Sequence, residues 1–338
     1  MAPRLTIMRA VAVSPAEPGQ IPGPDSLHVV ELDDPTPASG EVVVDVAAAG
    51  LNRADLLQRM GFYPPPPGAS DVIGLECSGI VSAVGAGVTR WQVGDEVCCL
   101  LAGGAYASKV AVPEGQCLPV PGVSLEKAAA LPEVAATVWS NLFMIARVQP
   151  HETVLIHGGA GGVGSFALQL LRARGIRVIA TASAGKLDAC RGFGAEVAID
   201  YAGDWVAEVQ ALGGADVILD VMGAAYLEKN LTALRDGGRI VVIGLQGGVR
   251  GEVDLNALMR KRASLIGTTL RSRSVESKSE ICAEVEANVW PLVAAGEIEV
   301  PIDSAYALED AAAAHRRMES GSHVGKLILT MGASKVDA

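Results

Sequence analysis

The pattern of apolar and polar positions splits the chain into two textures. Thr153–His157 is a short continuous apolar run, the pattern of a strand buried on both faces. After it, Val163, Phe166, Ala167, Leu170 and Leu171 recur at i, i+3, i+4, i+7 and i+8, one apolar stripe of a helix. Further apolar runs at 176–181, 197–200, 215–221, 239–244 and 264–269 predict strands, with helices between the first five of these six runs, Thr153–His157 included. That alternation predicts a doubly wound parallel sheet, a Rossmann unit. Residues 1 to about 123 read differently. Short runs such as Glu41–Ala47, Ser78–Val84 and Glu96–Leu101 are separated by turn signals, Ala38-Ser39-Gly40, Gly85-Ala86-Gly87 and Val93-Gly94-Asp95. These predict a small β-barrel, with Met1–Val13 as its first strand. At Ser124 the texture changes to Ala-rich helix. A helix is predicted over 276–295 and a last strand over Lys326–Thr330. This C-terminal part is expected to return to the first domain, with the cleft between the domains as the active site. The predicted class is α/β: residues 1–123 and 268–338 form one domain and 124–267 the other.

The turn after Thr153–His157 carries the first chemistry. Gly159, Gly161 and Gly164 are spaced G-x-G-x-x-G, with Gly162 and Val163 between them, in a strand–turn–helix frame. There the glycines permit a tight turn, close approach of a pyrophosphate and close helix–strand packing. The helix N-terminus offers free N–H groups to a phosphate, while Arg172 and Arg174 suit its C-terminal end and Gly175 caps it. NAD-binding units place an Asp or Glu about 20 residues on, for the ribose 2′-OH. Here the second strand runs into Ala182 and Ser183, with Lys186 following. A hydroxyl and an ammonium suit a 2′-phosphate that a carboxylate would repel, so NADPH is expected over NADH. Tyr201 is a third candidate for the adenosine end. An ordinary solvated lysine is the rival reading of Lys186.

Composition narrows the function classes. At 338 residues two domains are expected, and with 50% hydrophobic residues both can hold cores. A net charge of −11 without a long basic run argues against an electrostatic nucleic-acid binder. No signal peptide is read, and no uninterrupted apolar stretch reaches transmembrane length; the nearest, Ala128–Ala146, contains Pro132, Glu133, Ser140 and Asn141. A soluble, cytoplasmic protein is expected. The six cysteines form no C-x-x-C and read as reduced core thiols. The five histidines form no H-x-x-x-H pair, and His157 reads as structural.

Long stretches resemble the zinc-free quinone oxidoreductases, the zeta-crystallin-like branch of the medium-chain dehydrogenase/reductase superfamily. LNRADLLQRMGFYPPPPGASDVIGLECSG (Leu51–Gly79), DVMGAAYLEKN (Asp220–Asn230), KRASLIGTTLRSR (Lys261–Arg273) and GKLIL (Gly325–Leu329) are similar above all to its tumour-suppressor-inducible subfamily. The resemblance implies a GroES-like barrel domain with a Rossmann domain, NADPH as cofactor, a small-molecule quinone as substrate, and a homodimer or homotetramer. Zinc members of the superfamily use a Cys where this chain has Asn52, and a His-Glu pair where it has Leu75-Glu76, so no metal is expected. By resemblance Asn52 and Tyr63 face the substrate. Asn52 would donate to the oxygen that gains charge and Tyr63 would stack on a flat ring or donate its O–H; a turn residue and a proline-stiffened loop are the rival readings. The resemblance also places Thr137 near the cofactor, Gly244, Leu245, Thr268 and Thr269 along the nicotinamide and Lys326 at the pyrophosphate; a helix-interior hydroxyl and an ordinary exposed lysine are the rival readings of Thr137 and Lys326. A zinc-free reductase of activated C=C bonds and a non-enzymatic NADPH-binding protein are the alternatives.

Overall fold

The computed structural model describes residues 7–332, and the predicted first strand before Ile7 lies outside them. The chain divides into two compact units. One comprises Met1–Ala136, Arg271–Ala294 and Val300–Ala338; the other comprises Thr137–Leu270 and Ala295–Glu299.

The first unit is antiparallel in the main. A seven-stranded sheet runs in the order Ile302–Ala307, Lys326–Thr330, Glu41–Gly50, Glu76–Val84, Glu96–Leu100 and Cys117–Pro119, with Lys109–Pro113 paired to Glu41–Gly50 off this path. A separate ribbon pairs Ile7–Val13 with Leu27–Asp33. Alternation of side chains across the pleat buries Val44, Val81, Val97, Leu327 and Leu329 in one core with Tyr106. Glu41–Gly50 runs longer than its apolar pattern predicts, because two register shifts carry it past Val46 into the close-packed Ala48–Ala49. The predicted helix over 276–295 is two helices, Val275–Asn288 and Trp290–Ala294. Pro291 has no N–H to give to the preceding turn, so the first helix ends before it.

The second unit is a six-stranded parallel sheet in the order Val197–Asp200, Arg177–Ala182, Thr153–His157, Ala215–Asp220, Leu234–Val242 and Ser264–Gly267. This is the doubly wound order 3-2-1-4-5-6. Its strands are continuous apolar runs because helices cover both faces, and Leu155, Ile179, Ile218 and Ile240 pack with Trp205 in its core. Leu234–Val242 begins earlier than the apolar run at 239–244 because Arg235 pairs with Asp216 at the strand's entry. The run Leu125–Ile145 is long and apolar enough to cross a membrane by length and composition alone, though Glu126, Lys127 and Glu133 interrupt it; 72% of its most apolar stretch is buried inside the protein, as in a core helix. All six cysteines are free and buried.

Candidate functional site

In the Rossmann unit the glycine turn separates structural from open positions. A methyl group added at Gly164 would strike Gly158 O and come within 2.7 Å of Gly159 Cα, so only glycine lets the helix Gly162–Ala173 close on the strand. A methyl group at Gly161 would meet only Gly158 O, at 3.5 Å. The space before Gly161 is therefore free on the protein side. Gly161 caps the helix without a side chain, and the first helical bond is Ser165 N–H to Gly161 O. The N–H groups of Gly162, Val163 and Gly164 precede it and have no intrahelical acceptor. This is an anion cradle, and it fits a dinucleotide pyrophosphate.

The residues expected at the adenosine end come from two neighbouring strand ends. Ser183 opens the short turn Ala184–Lys186, and Lys186 N–H donates to Ser183 O at 2.8 Å. Tyr201 N–H donates to Ala182 O at 3.1 Å, which brings Tyr201, 49% exposed, beside them. No carboxylate follows the second strand before Lys186. Thr137 and Thr268 are joined through Asn141, whose amide donates to Thr137 O at 2.7 Å and accepts from the Thr268 hydroxyl at 2.6 Å. Asn141 lies in a π-helical stretch, Trp139–Ile145. Gly244 lies against Val221, while Leu245 and Thr269 are exposed. His157 is structural in its contacts: its ring nitrogens meet Thr181 Oγ1 at 2.8 Å and Asn230 Oδ1 at 2.7 Å, and burial lowers it to about 4, neutral.

The barrel unit contains a buried polar cluster that local sequence does not announce. Glu76, at the start of its strand, is fully buried. Its Oε1 accepts from Asn52 Nδ2 at 2.9 Å and from Lys326 Nζ at 2.6 Å, and its Oε2 accepts from Glu133 N–H at 2.9 Å. Gly50 makes room for it, since a methyl there would strike Glu76 Oε1 and lie 2.7 Å from Ala129 O. Lys326 is 3% exposed. Its three donors go to Leu51 O at 2.6 Å, Asn52 Oδ1 at 2.7 Å and Glu76 Oε1 at 2.6 Å. An ammonium has three protons to give, so Lys326 has none left for a pyrophosphate, and the placement that resemblance implied for it is corrected. Asn52 is held by both partners and keeps one amide proton uncommitted.

Below Asn52, a chain of hydrogen bonds has a fixed direction. The Arg59 guanidinium can only donate, and it meets His315 Nδ1 at 3.1 Å. His315 therefore carries its proton on Nε2 and gives it toward Tyr106 Oη at 3.2 Å, and Tyr106 gives its own to Asp55 Oδ2 at 3.0 Å. Asp55 Oδ2 also accepts Asn52 N–H at 2.8 Å. Burial holds His315 down to about 3, so it stays neutral. Asp55 is fully buried and its Oδ1 has no partner; burial lifts its carboxyl to about 7 against the bonds from Asn52 and Tyr106. Arg59 also pairs with Glu319. Tyr63 stands apart from Asn52 in bonding. Arg271 donates to its carbonyl at 2.9 Å and lies 5.2 Å from its ring centroid, and the same guanidinium binds Ala102 O and Gln58 Oε1. Sequence reasoning missed Asp55, Glu133 and Arg271 as parts of this site. The N-x-x-D spacing of Asn52 and Asp55, a capping-box pattern, was a signal for the first. Glu133 interrupting the apolar run after Ala128 was a signal for the second.

Residues 38–122 match the alcohol dehydrogenase GroES-like domain, and residues 162–285 match the zinc-binding dehydrogenase domain. The chain is 34% identical over 322 residues to the Synaptic vesicle membrane protein VAT-1 homolog of Danio rerio, covering 89% of this chain and 66% of that one. It thus spans just under two thirds of that relative's length. It is 30% identical over 340 residues to the quinone oxidoreductase of Rattus norvegicus, covering 98% and 100% of the two chains. Among solved structures, Escherichia coli quinone oxidoreductase complexed with NADPH superposes with a TM-score of 0.84 at 31% identity over 96% of this chain and 99% of that one. CurK enoyl reductase superposes with a TM-score of 0.83 at 28% identity over 96% and 99%. The zinc in the second domain's description does not suit this donor set. Leu75 offers no ligand atom, Lys326 already places a cation against Glu76, and among the described residues no group of three or more His, Cys, Asp or Glu is placed to hold a metal. With a GroES-like barrel, a Rossmann sheet and relatives matched over nearly its whole length, the chain belongs to the medium-chain dehydrogenase/reductase superfamily.

Proposed function

We propose that the chain is an NADPH-dependent quinone reductase that works without zinc. The observation that carries this reading is the Asn52–Glu76–Lys326 cluster, where an ammonium and an amide stand in place of metal ligands. Such a site offers a hydrogen bond and no Lewis acid, which suits a substrate that accepts hydride readily. When bound, NADPH supplies that hydride from its nicotinamide ring. Gly161 and the N–H groups of Gly162, Val163 and Gly164 would take the pyrophosphate. Ser183 and Lys186 would take the 2′-phosphate, with Tyr201 beside the adenosine. Asn52 directs its uncommitted amide proton at the carbonyl oxygen that gains charge. Tyr63, pinned by Arg271, offers a flat face to a quinone ring. Burial, then Glu133, raises the Tyr63 hydroxyl, so it keeps its proton and acts as a hydrogen-bond donor.

A second reading, reduction of an activated C=C bond, draws support from the likeness to an enoyl reductase. That reaction must protonate carbon, so replacing Tyr63 by Phe would abolish it if Tyr63 were the acid. The test is NADPH oxidation by purified, EDTA-treated protein with an ortho-quinone, a para-quinone and an enone, with NADH in parallel. Quinone turnover that survives EDTA and prefers NADPH supports the first reading. Enone turnover alone selects the second. NADPH binding without turnover leaves a binding protein.

A further inference from the structure

Lys326 is itself held before it holds anything else. Gly325 precedes it at φ +81°, and a methyl group there would strike Pro301 O, so only glycine makes this turn. Lys326 N–H then donates to Pro301 O at 2.8 Å. Leu51 N–H donates to Leu327 O at 2.9 Å, which sets the strand Lys326–Thr330 against the residue before Asn52. From this fixed base the ammonium reaches Leu51 O, Asn52 Oδ1 and Glu76 Oε1. A buried ion pair needs only the carboxylate, and such pairs add little stability to a fold. Here one bond goes instead to the side chain assigned to the substrate.

These bonds dictate which way the Asn52 amide faces. An ammonium has no acceptor, so the atom it meets at 2.7 Å must be the amide oxygen. Glu76 Oε1 accepts, so the atom it meets at 2.9 Å must be the amide nitrogen. Turned by 180°, the amide would set its NH₂ against the ammonium and its oxygen against Glu76. Both bonds would be lost and two repulsions gained. The Asn52 main chain is fixed as well, through its N–H to Asp55 Oδ2 at 2.8 Å. We propose that Lys326 is a positioning residue, which with Glu76 locks the Asn52 amide so that it presents only a donor to the substrate. This rests on the reductase reading and narrows its substrate class to compounds that bring an acceptor oxygen, the carbonyl of a quinone or an enone. It also separates Lys326 from the cofactor's phosphates, since all three of its protons are spent inside the barrel unit.

The experiment is a double-mutant cycle. Lys326→Met should lower kcat for a para-quinone by roughly 10- to 100-fold, less than outright loss of such a donor costs. Its Kd for NADPH, titrated by protein fluorescence without acceptor, should stay within about twofold of wild type, the margin for uncoupled sites. In an Asn52→Ala background the same substitution should change kcat by no more than that margin. Where Lys326→Met alone does not fold, adding Glu76→Gln to every member of the cycle keeps the core neutral. Effects of Lys326→Met and Asn52→Ala that multiply overturn the proposal, as does a loss of NADPH affinity with kcat unchanged. A second readout needs no turnover. In a chain labelled with ¹⁵N at asparagine, the two side-chain amide protons of Asn52 should resonate far apart, since one is bonded to a carboxylate and one is not. Lys326→Met should bring them together, and an unchanged separation overturns the proposal. Absence of turnover by wild-type protein with any acceptor overturns the reductase reading and the substrate class with it, while the amide spectrum still decides whether Lys326 orients Asn52.

Discussion

Asp55 is the residue whose environment and chemistry disagree most. It has two donors on one oxygen and none on the other, inside a core. Its carboxyl titrates near 3.8 when free of the fold and near 7 within it. A group that holds its proton more tightly in the folded state stabilises the fold where it is protonated. Stability is therefore highest at low pH on this account and falls as pH rises between about 4 and 7, by up to about 4 kcal/mol if nothing else compensates. Asp55→Asn keeps an oxygen for Asn52 N–H and Tyr106 O–H and removes the buried charge. The variant should gain stability above pH 7 and lose most of this slope, as read from urea unfolding at pH 5 and pH 8. An unchanged slope would show that Asp55 is already ionised below pH 5. The same residue marks where sequence reading stops. Asp55 meets Tyr106, which meets His315, which meets Arg59, and the last of these contacts spans 256 positions. No local pattern encodes it.

Elements were far more legible than side-chain partners. The strands Thr153–His157, Val197–Asp200 and Lys326–Thr330 lie where their apolar runs predict, because strands buried on both faces have no other composition available. The ends of Leu234–Val242 and the break before Pro291 were less legible, since an ion pair and a missing N–H decide them. The glycine turn lets its structural and ligand roles be separated by mutation. Gly164→Ala forces the helix off its strand and should cost several kcal/mol, roughly as overpacking does. Gly161→Ala meets no protein atom closer than 3.5 Å, so the fold should persist while the methyl fills the pyrophosphate's approach. Thermal melts and cofactor titration together check this: the first variant loses Tm and the second loses NADPH affinity, by tenfold or more. If Gly161→Ala bound NADPH normally, the cradle would lie elsewhere. The π-helical stretch Trp139–Ile145 was not foreseen, because its cause is a side chain. Asn141 takes the Thr137 carbonyl with its own amide, while Ala146 N–H reaches back five residues to Asn141 O. Asn141→Ala should lower NADPH affinity through Thr137 and Thr268 while leaving the NADPH-over-NADH preference intact.

At the scale of the molecule, two units with separate cores give ligand binding a local signature. The groups assigned to NADPH's phosphates all lie in the Rossmann unit, so bound cofactor should stabilise that unit against unfolding by mass action, by about 2.7 kcal/mol at a hundredfold excess over Kd. Trp139 and Trp205 report on this unit, and Trp91 and Trp290 on the barrel unit. A chain with a net charge of −11 gains nothing from long-range attraction to an anionic cofactor, so any preference for the 2′-phosphate must come from nearby groups. Ser183 and Lys186 are the groups proposed for that role, with no carboxylate between the second strand and Lys186. NADPH should therefore raise the transition seen by Trp205 more than NADH does at equal concentration. Double replacement Ser183→Ala, Lys186→Ala should bring the two cofactors level by weakening NADPH alone. Asp55→Asn should instead shift the transition seen by Trp290 and leave the cofactor response unchanged. EDTA should move neither transition, since the cluster around Glu76 is closed by Lys326 and Asn52. Equal shifts by NADPH and NADH in the wild-type chain would overturn the assignment of Ser183 and Lys186. A fall in either transition with EDTA would require a metal that the cluster has no ligands to hold.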